Sequence, residues 1–316
     1  MADLKFEVLD IGARYGIHPS LRRLVGLVPV HLFEPDPVES GRLGSQYEST
    51  PEVRVHGIAL GESNREKSFV LREHRGLSGF AGISVEELNW KLPIRGLEES
   101  DRIKVEVRPL SEFLSGKPAI IKLDTEGSEL EILRSAGNRL SHVMALRLEF
   151  NVRPLWSTGT SFVSLDAFLA DNGFVFINFD SPPNGSIYGR LPLPESKGQL
   201  IGGDGLWVRD HQAQPLSDSQ IFCRVLFFYL NGLEGMGLEA MGQLSEESRQ
   251  RILNSVSPSA EALTYALVLR HLKSASLYPH FGASTVDHEH QALFGCQMPD
   301  RELLFERLQR AGLDVE

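Results

Sequence analysis

The stretch Glu7-Val8-Leu9-Asp10-Ile11-Gly12-Ala13-Arg14-Tyr15-Gly16 constrains the fold of this chain more than any other. Its apolar run reads as a strand buried on both faces, ending on an acid and turning through two glycines before a helical segment at Pro19. An open α/β sheet presents nucleotide-like ligands at such strand ends. Everything up to about Asp210 can be read as support for that turn.

Glycine spacing narrows the ligand. A dinucleotide fingerprint would carry glycine at positions 12, 14 and 17, where the backbone must approach a pyrophosphate, but Arg14 and Ile17 stand there. A nicotinamide dehydrogenase is therefore disfavoured. The D-x-G-x-x-x-G turn suits a ligand with an amino-acid end and a ribose, which describes S-adenosylmethionine. The same stretch also reads as Asp10 capping its own loop, and at this level both readings stand.

Further along, the pattern repeats. Residues 19 to 26 read as a short helix opened by Pro19 and closed by Gly26, and Val30 to Phe33 as a second strand stopping at Glu34-Pro35-Asp36-Pro37. An acid ending strand two is placed to accept both ribose hydroxyls, so Glu34, beside Pro35, is the candidate for that role. A helix over 38 to 48 leads to a third strand running from Val53 into Ala59-Leu60-Gly61, where Ala59 and Leu60 would flank an adenine. Short strands at Phe69–Arg72 and Ile103–Arg108 flank Gly76-Leu77-Ser78-Gly79-Phe80-Ala81-Gly82, which reads as a connector or a lid, and Ser78 is a further ligand candidate. Ala119-Ile120-Ile121-Lys122-Leu123 is a buried strand ending on Asp124, with Thr125-Glu126-Gly127-Ser128-Glu129 opening a helix whose first-turn acids suit its dipole. Strands at 144–150, 174–179 and 205–208, with a helix near 162–172, complete a doubly wound sheet. The long segment from Asp180 to Asp204, rich in Pro, Gly and Ser, reads as a wall of the acceptor pocket.

From about Asp218 the periodicity becomes helical, with Ile221, Phe222, Val225, Leu226, Phe228 and Leu230 on one face and further helices at 245–256, 259–275 and 300–311. Two domains are expected, 1–210 for the cofactor and 218–316 as a helical appendage. An exposed apolar stripe on that appendage would pair two chains as a homodimer. The 316 residues carry a net charge of −10, which argues against a nucleic-acid-binding surface. With no apolar run of 18 residues and no signal-peptide core, no membrane span and a cytoplasmic location are expected. Cys223 and Cys296 lack metal-ligand spacing, and Asp287-His288-Glu289-His290 reads as an exposed polar loop, since adjacent histidines point different ways. No metal is expected.

Taken together, Asp10 to Gly16, Phe33 to Pro37, Ala59-Leu60-Gly61 and Ile121 to Glu129 stand in the order and separation by which the chain, over about residues 5–210, resembles the FkbM family of S-adenosylmethionine-dependent methyltransferases. The resemblance implies a class I methyltransferase fold, Rossmann-like and seven-stranded with the last strand antiparallel. It also implies methyl transfer to a hydroxyl oxygen of a sugar, glycan or related natural product. Carried over, Asp10, Gly12, Ala13 and Gly16 would hold the methionine end, Glu34 the ribose and Ala59 the adenine region. Arg14 departs from the small or amide residue common there, and either adds a carboxylate partner or crowds the loop. Little precedes strand one, so the helical tail would substitute for an N-terminal covering segment.

An alcohol is a poor nucleophile at neutral pH, so a general base is expected. Asp124 and Glu126 are best placed, because two close carboxylates raise one pKa. Equally open is that Asp124 only contacts cofactor and Glu126 caps the helix; His18 is a third choice. A rival of another class is a catalytically silent methyltransferase fold that binds a protein partner through its tail.

Overall fold

Two central strands of the main sheet, five residues each, are apolar apart from Glu7 and Asp10 in one and Lys122 in the other, and they stop at Gly12 and Asp124. A computed structural model describes residues 5–83, 96–152, 156–158, 160–179, 187–188, 199–200, 202–211 and 215–248. In chain order the strands are β1 (Glu7–Ile11), β2 (Val30–Phe33), β3 (Val53–His56), β4 (Ala59–Leu60), β5 (Arg65–Arg72), β6 (Glu99–Arg108), β7 (Ala119–Leu123), β8 (Val143–Asn151), β9 (Phe174–Phe179), β10 (Ile187–Tyr188), β11 (Gln199–Leu200) and β12 (Gly202–Arg209). Seven of them form one sheet in the order β3-β2-β1-β7-β8-β12-β9. Pairing is parallel from β3 through β8, while β12 runs antiparallel to both β8 and β9. The last strand is thus antiparallel, and it is inserted between two others. All residues of β1 and β7 are buried, as a sheet covered on both faces requires.

Helices α1 (Pro37–Gln46), α2 (Glu129–Ser135) and α3 (Phe162–Asp171) follow β2, β7 and β8. Asp36 caps α1 by accepting from the Val38 N–H at 3.0 Å, with Pro37 in the first turn. A Ser161–Ser164 capping box opens α3, and Gly173 (φ +76°) follows its end. One sheet face carries Leu9, Ile11, Ile121, Leu123, Leu146 and Leu148, in a core shared with Leu130 and Leu133 of α2 and Leu165 and Leu169 of α3. The period-2 alternation leaves Asp10 and Lys122 to the opposite face.

Two local expectations change. The helix expected over 19–26 is a 3-10 segment, Pro19–Leu24, capped by the His18 ring. The third strand is broken: β3 stays in the main sheet, while β4 joins β6 and β5 in a separate three-stranded sheet. There the runs expected at 69–72 and 103–108 grow to eight and ten residues. Polar ends such as Glu66 and Lys104 carry little strand signal, but antiparallel pairing with β6 extends them across eight registered positions. Ala59, Phe69, Leu71, Val105 and Val107 form this sheet's own core.

The described residues divide into two units, one spanning Phe6–Pro215 and one that holds residues 216–248. In the second, α4 (Asp218–Leu230) opens on a Ser217–Gln220 capping box, and α5 (Glu234–Gly242) follows. Ile221, Cys223, Val225, Phe227 and Phe228 are buried, whereas Phe222, Leu226 and Leu230 are only half-buried, so the buried face is rotated from the expected one. The helices expected at 259–275 and 300–311, most of that at 245–256, Cys296, the 287–290 segment and most of 180–201 lie outside the described residues. Among the described residues no helix is long and apolar enough to cross a membrane.

Candidate functional site

The carboxyl ends of β1, β2 and β7 open into a cleft, closed on its far side by the small sheet. Gly12, Glu34, Pro35, Ala59, Leu60, Ser78, Asp124 and Glu126 all line it; Asp10, Ala13 and Gly16 do not. The 75–80 segment is a wall rather than a remote connector, contributing Arg75, Gly76, Ser78 and Phe80. It is pinned by paired backbone hydrogen bonds between Val70 and Gly79 and by the Ser78 hydroxyl, which accepts from the Arg72 N–H at 3.1 Å. Phe33, Ile58, Leu60, Phe69 and Phe80 make the apolar part of the wall.

The β1 turn is built by backbone approach. Gly12 has φ +80°, and a Cβ there would lie 1.9 Å from the Asp124 carbonyl oxygen. Its N–H and that of Ala13 both donate to the Phe33 carbonyl at 3.0 Å, while the Asp124 N–H donates to Ile11 at 3.1 Å. The three strand ends are thereby locked together. Asp10 is fully buried, and its Oδ2 accepts from the His18 N–H at 2.7 Å. Its other oxygen has no hydrogen-bond donor among the described residues, but Lys122 Nζ lies 3.5 Å away. Asp10 therefore braces the loop from inside.

Lys122 pairs in register with Asp10 on β1 and with Arg147 on β8, so the three side chains stand in one row across the sheet. Lys122 also donates to the Gly12 carbonyl at 3.1 Å and sits 3.4 Å from Asp124 Oδ2. Burial alone would lower its pKa, but Asp124 and Asp10 outweigh it and hold the ammonium above its ordinary range. Nothing in the sequence reading assigned Lys122 a role. The available signal was a cation inside an otherwise apolar strand.

At the β2 end, Arg14 is buried and donates to Asp36 Oδ2 at 2.6 Å, with Glu34 Oε1 at 3.7 Å. Of the two readings for Arg14, the carboxylate partner is the one realised. Glu34 Oε1 accepts from the Asp36 N–H at 2.8 Å. Burial raises the Glu34 pKa to about 7, against the opposing pull of that hydrogen bond and of Arg14. His18 is held near 4, by burial first and then by Arg147 and Lys122, so its ring is neutral at pH 7. It does not line the cleft.

After β7 the chain makes an irregular turn. Glu126 adopts φ +56° and Gly127 φ +96°, and a Cβ on Gly127 would fall 2.7 Å from Trp156. The side chain that organises this turn is Glu129, not Glu126: its Oε1 accepts from the Thr125 N–H and hydroxyl, both at 2.9 Å, and from the Gly127 N–H at 3.3 Å. Glu126 is 8% exposed and makes no hydrogen bond or ion pair among the described residues. Burial, Asp124 and Glu129 push its pKa well above the carboxylate range. Glu149, from β8, brings a third carboxylate: one oxygen each from Asp124, Glu126 and Glu149 lie within 4.8 Å of one another. Glu149 was missed because a strand residue reveals its neighbours only once strand order is known.

Chemically, the cleft offers an apolar slot, a carboxylate at the β2 end and a cluster of carboxyl groups at the β7 end. That arrangement fits a cationic ligand with a flat ring and a ribose. Comparison with known proteins gives a family: the profile described as Methyltransferase FkbM domain matches residues 10–176, the stretch that builds the cleft. No curated protein matches the chain. Among solved structures, methyltransferase FkbM from Methylobacillus flagellatus KT is similar at 18% identity and a TM-score of 0.36, over 65% of this chain and 44% of that one. A putative RNA methyltransferase, PH1948 from Pyrococcus horikoshii, is similar at 13% identity and a TM-score of 0.33, over 66% of this chain and 77% of that one. A TehB-like SAM-dependent methyltransferase from Corynebacterium glutamicum is similar at 12% identity and a TM-score of 0.30, over 65% and 80% of the two chains. The chain thus spans less than half of the Methylobacillus protein.

Proposed function

This chain belongs to the FkbM methyltransferase family, and on that premise we propose that it methylates a hydroxyl oxygen of a small-molecule or glycan acceptor. S-adenosylmethionine is the cofactor; it supplies an activated methyl group on a sulfonium. The observation that carries the reading is the cleft itself, in which Glu34, the Ile58–Leu60 wall and the Asp124–Glu126 turn converge from separate segments. Glu34 would accept the ribose hydroxyls, Ile58, Ala59 and Leu60 would flank the adenine, and the acidic β7 end would face the cationic methionine portion. Asp10 Oδ1 lies behind the turn, 3.5 Å from Lys122 Nζ, and keeps that ammonium in place beneath it.

The chain's own work is alignment, exclusion of water and acceptance of a proton. Glu126 is enclosed, unpaired and raised in pKa, which are the properties of a carboxylate able to take the acceptor's hydroxyl proton near neutral pH. Asp124, tied to Lys122, would face the positive charge.

Thermal unfolding with S-adenosylhomocysteine tests the first half of the reading. A ligand at 100 times its dissociation constant stabilises by roughly 2.7 kcal/mol. Wild type should show that shift and Glu34→Ala should not; absence of a shift in folded wild type would sink the assignment. For the second half, Glu126→Gln should retain the shift and lose transfer of labelled methyl to a hydroxyl-bearing fraction, and normal transfer by that variant would remove Glu126 as the base.

A further inference from the structure

The three carboxylates at the β7 end form a constellation that the base role of Glu126 does not exhaust. Lys122 is already shared between Asp10 and Asp124, and Arg147 is engaged with Asp204 at 3.0 Å. Glu126 and Glu149 have no cation within ion-pair distance among the described residues, although Glu126 is 92% enclosed and lines the cleft. Glu149 Oε2 is shut away from solvent with no hydrogen-bond donor among those residues. Buried carboxylates left in this state are costly unless something positive meets them.

We propose that Asp124, Glu126 and Glu149 bind a divalent cation, Mg²⁺ or Mn²⁺, at the edge of the cleft. The proposal departs from the metal-free expectation of the sequence, and it rests on the proposed function only in placing Asp124 and Glu126 beside the acceptor. Ligand oxygens about a six-coordinate cation at ~2.1 Å lie roughly 3.0 Å apart when adjacent and 4.2 Å when opposite. A pair at the observed ceiling of 4.8 Å would close to adjacent-ligand spacing with shifts of up to roughly 1 Å in each side chain. The all-oxygen donor set favours a hard cation over zinc. Three protein ligands leave positions for water and for an acceptor oxygen, whose proton a bound cation would make more acidic. Asp124 and Glu126 lie in the turn that leads from β7 to α2 and Glu149 on the neighbouring parallel strand β8, so the site is a product of strand order.

The experiment uses the full chain, stripped with a chelator and free of S-adenosylmethionine, titrated with MnCl₂ and followed by the electron paramagnetic resonance of free Mn²⁺. One site per chain with a dissociation constant of about 1 mM or tighter is expected, displaced by Mg²⁺. Glu149→Gln and Glu126→Gln should each weaken it by at least about tenfold, and the His288→Ala/His290→Ala double variant should leave it unchanged. Both Gln variants should melt at or above wild type without metal, because each replaces a buried, unpaired carboxyl group by an amide of the same shape, and neither should gain from Mn²⁺. No site in wild type, a site that survives both Gln variants, or one lost in the tail variant would overturn the proposal. S-adenosylhomocysteine binding measured on the same samples separates the two readings: Mn²⁺ bound without it refutes the methyltransferase site alone, and the converse refutes the metal site alone.

Discussion

Replacing Glu34 by Gln removes one titrating proton and almost nothing else, because the amide oxygen can still accept from the Asp36 N–H. In the ligand-free protein Glu34 has a pKa of about 7, against 4.5 for an ordinary glutamate. The cause is burial, and the Asp36 N–H and Arg14 offset it only in part, because Arg14 gives its short contact, 2.6 Å, to Asp36 and stands 3.7 Å from Glu34. Below pH 4.5 folded and unfolded chains both hold this proton; between 4.5 and 7 only the folded chain does; above 7 neither does. Stability therefore falls as pH rises through that window, by up to 1.36 kcal/mol per pH unit and about 3 kcal/mol in all. The Gln variant lacks the slope, so its stability relative to wild type should climb by about 3 kcal/mol between pH 4.5 and 8, other groups cancelling in the difference. Urea unfolding of both proteins at half-unit intervals measures it. A difference that is flat with pH would refute the account of Glu34 as an underpaired, buried acid. Ribose hydroxyls donate only to the ionised form effectively, so wild-type affinity for S-adenosylhomocysteine should rise with pH up to about 7 and the variant's should not.

Two further perturbations address the framework beneath the cleft. Lys122→Met strips the shared cation from Asp10 and Asp124 and should cost about 3–5 kcal/mol in urea unfolding, with partial recovery on adding Asp10→Asn; a cost below about 1 kcal/mol would show that the row is not electrostatically coupled. Gly12→Ala combines a left-handed backbone with a Cβ 1.9 Å from the Asp124 carbonyl, whereas Gly26 has the same sign of φ and nothing within 4 Å. Gly26→Ala should cost about 1–2 kcal/mol, and Gly12→Ala should cost more and abolish the S-adenosylhomocysteine shift. Equal costs would mean that the clash relaxes freely.

Much of the site was legible in the chain itself. The strand–acid–glycine turn at Asp10–Gly16, the acid after strand two at Glu34 and the Asp124–Glu129 turn are contiguous signals, since an apolar run, its stopping residue and a glycine at positive φ lie within a few positions of each other. Roles inside those motifs were less legible. Asp10 and Glu129 both turn inward to hold backbone N–H groups, while Glu126 stays unpaired, because a carboxylate's partner depends on which donors the turn leaves exposed.

What the sequence by itself determined is the doubly wound order of strands and helices, the glycine turn and its family, all consequences of local periodicity and turn chemistry. Tertiary structure decided the rest. It moved Ala59 and Leu60 into a second sheet, lengthened β5 and β6 by pairing, and set Lys122 between Asp10 and Arg147. It also carried Glu149 to Asp124 and Glu126. The physical reason is common to all four: lateral register between strands far apart in sequence is chosen by the buried faces of the whole sheet, and no single strand encodes which neighbour it will meet.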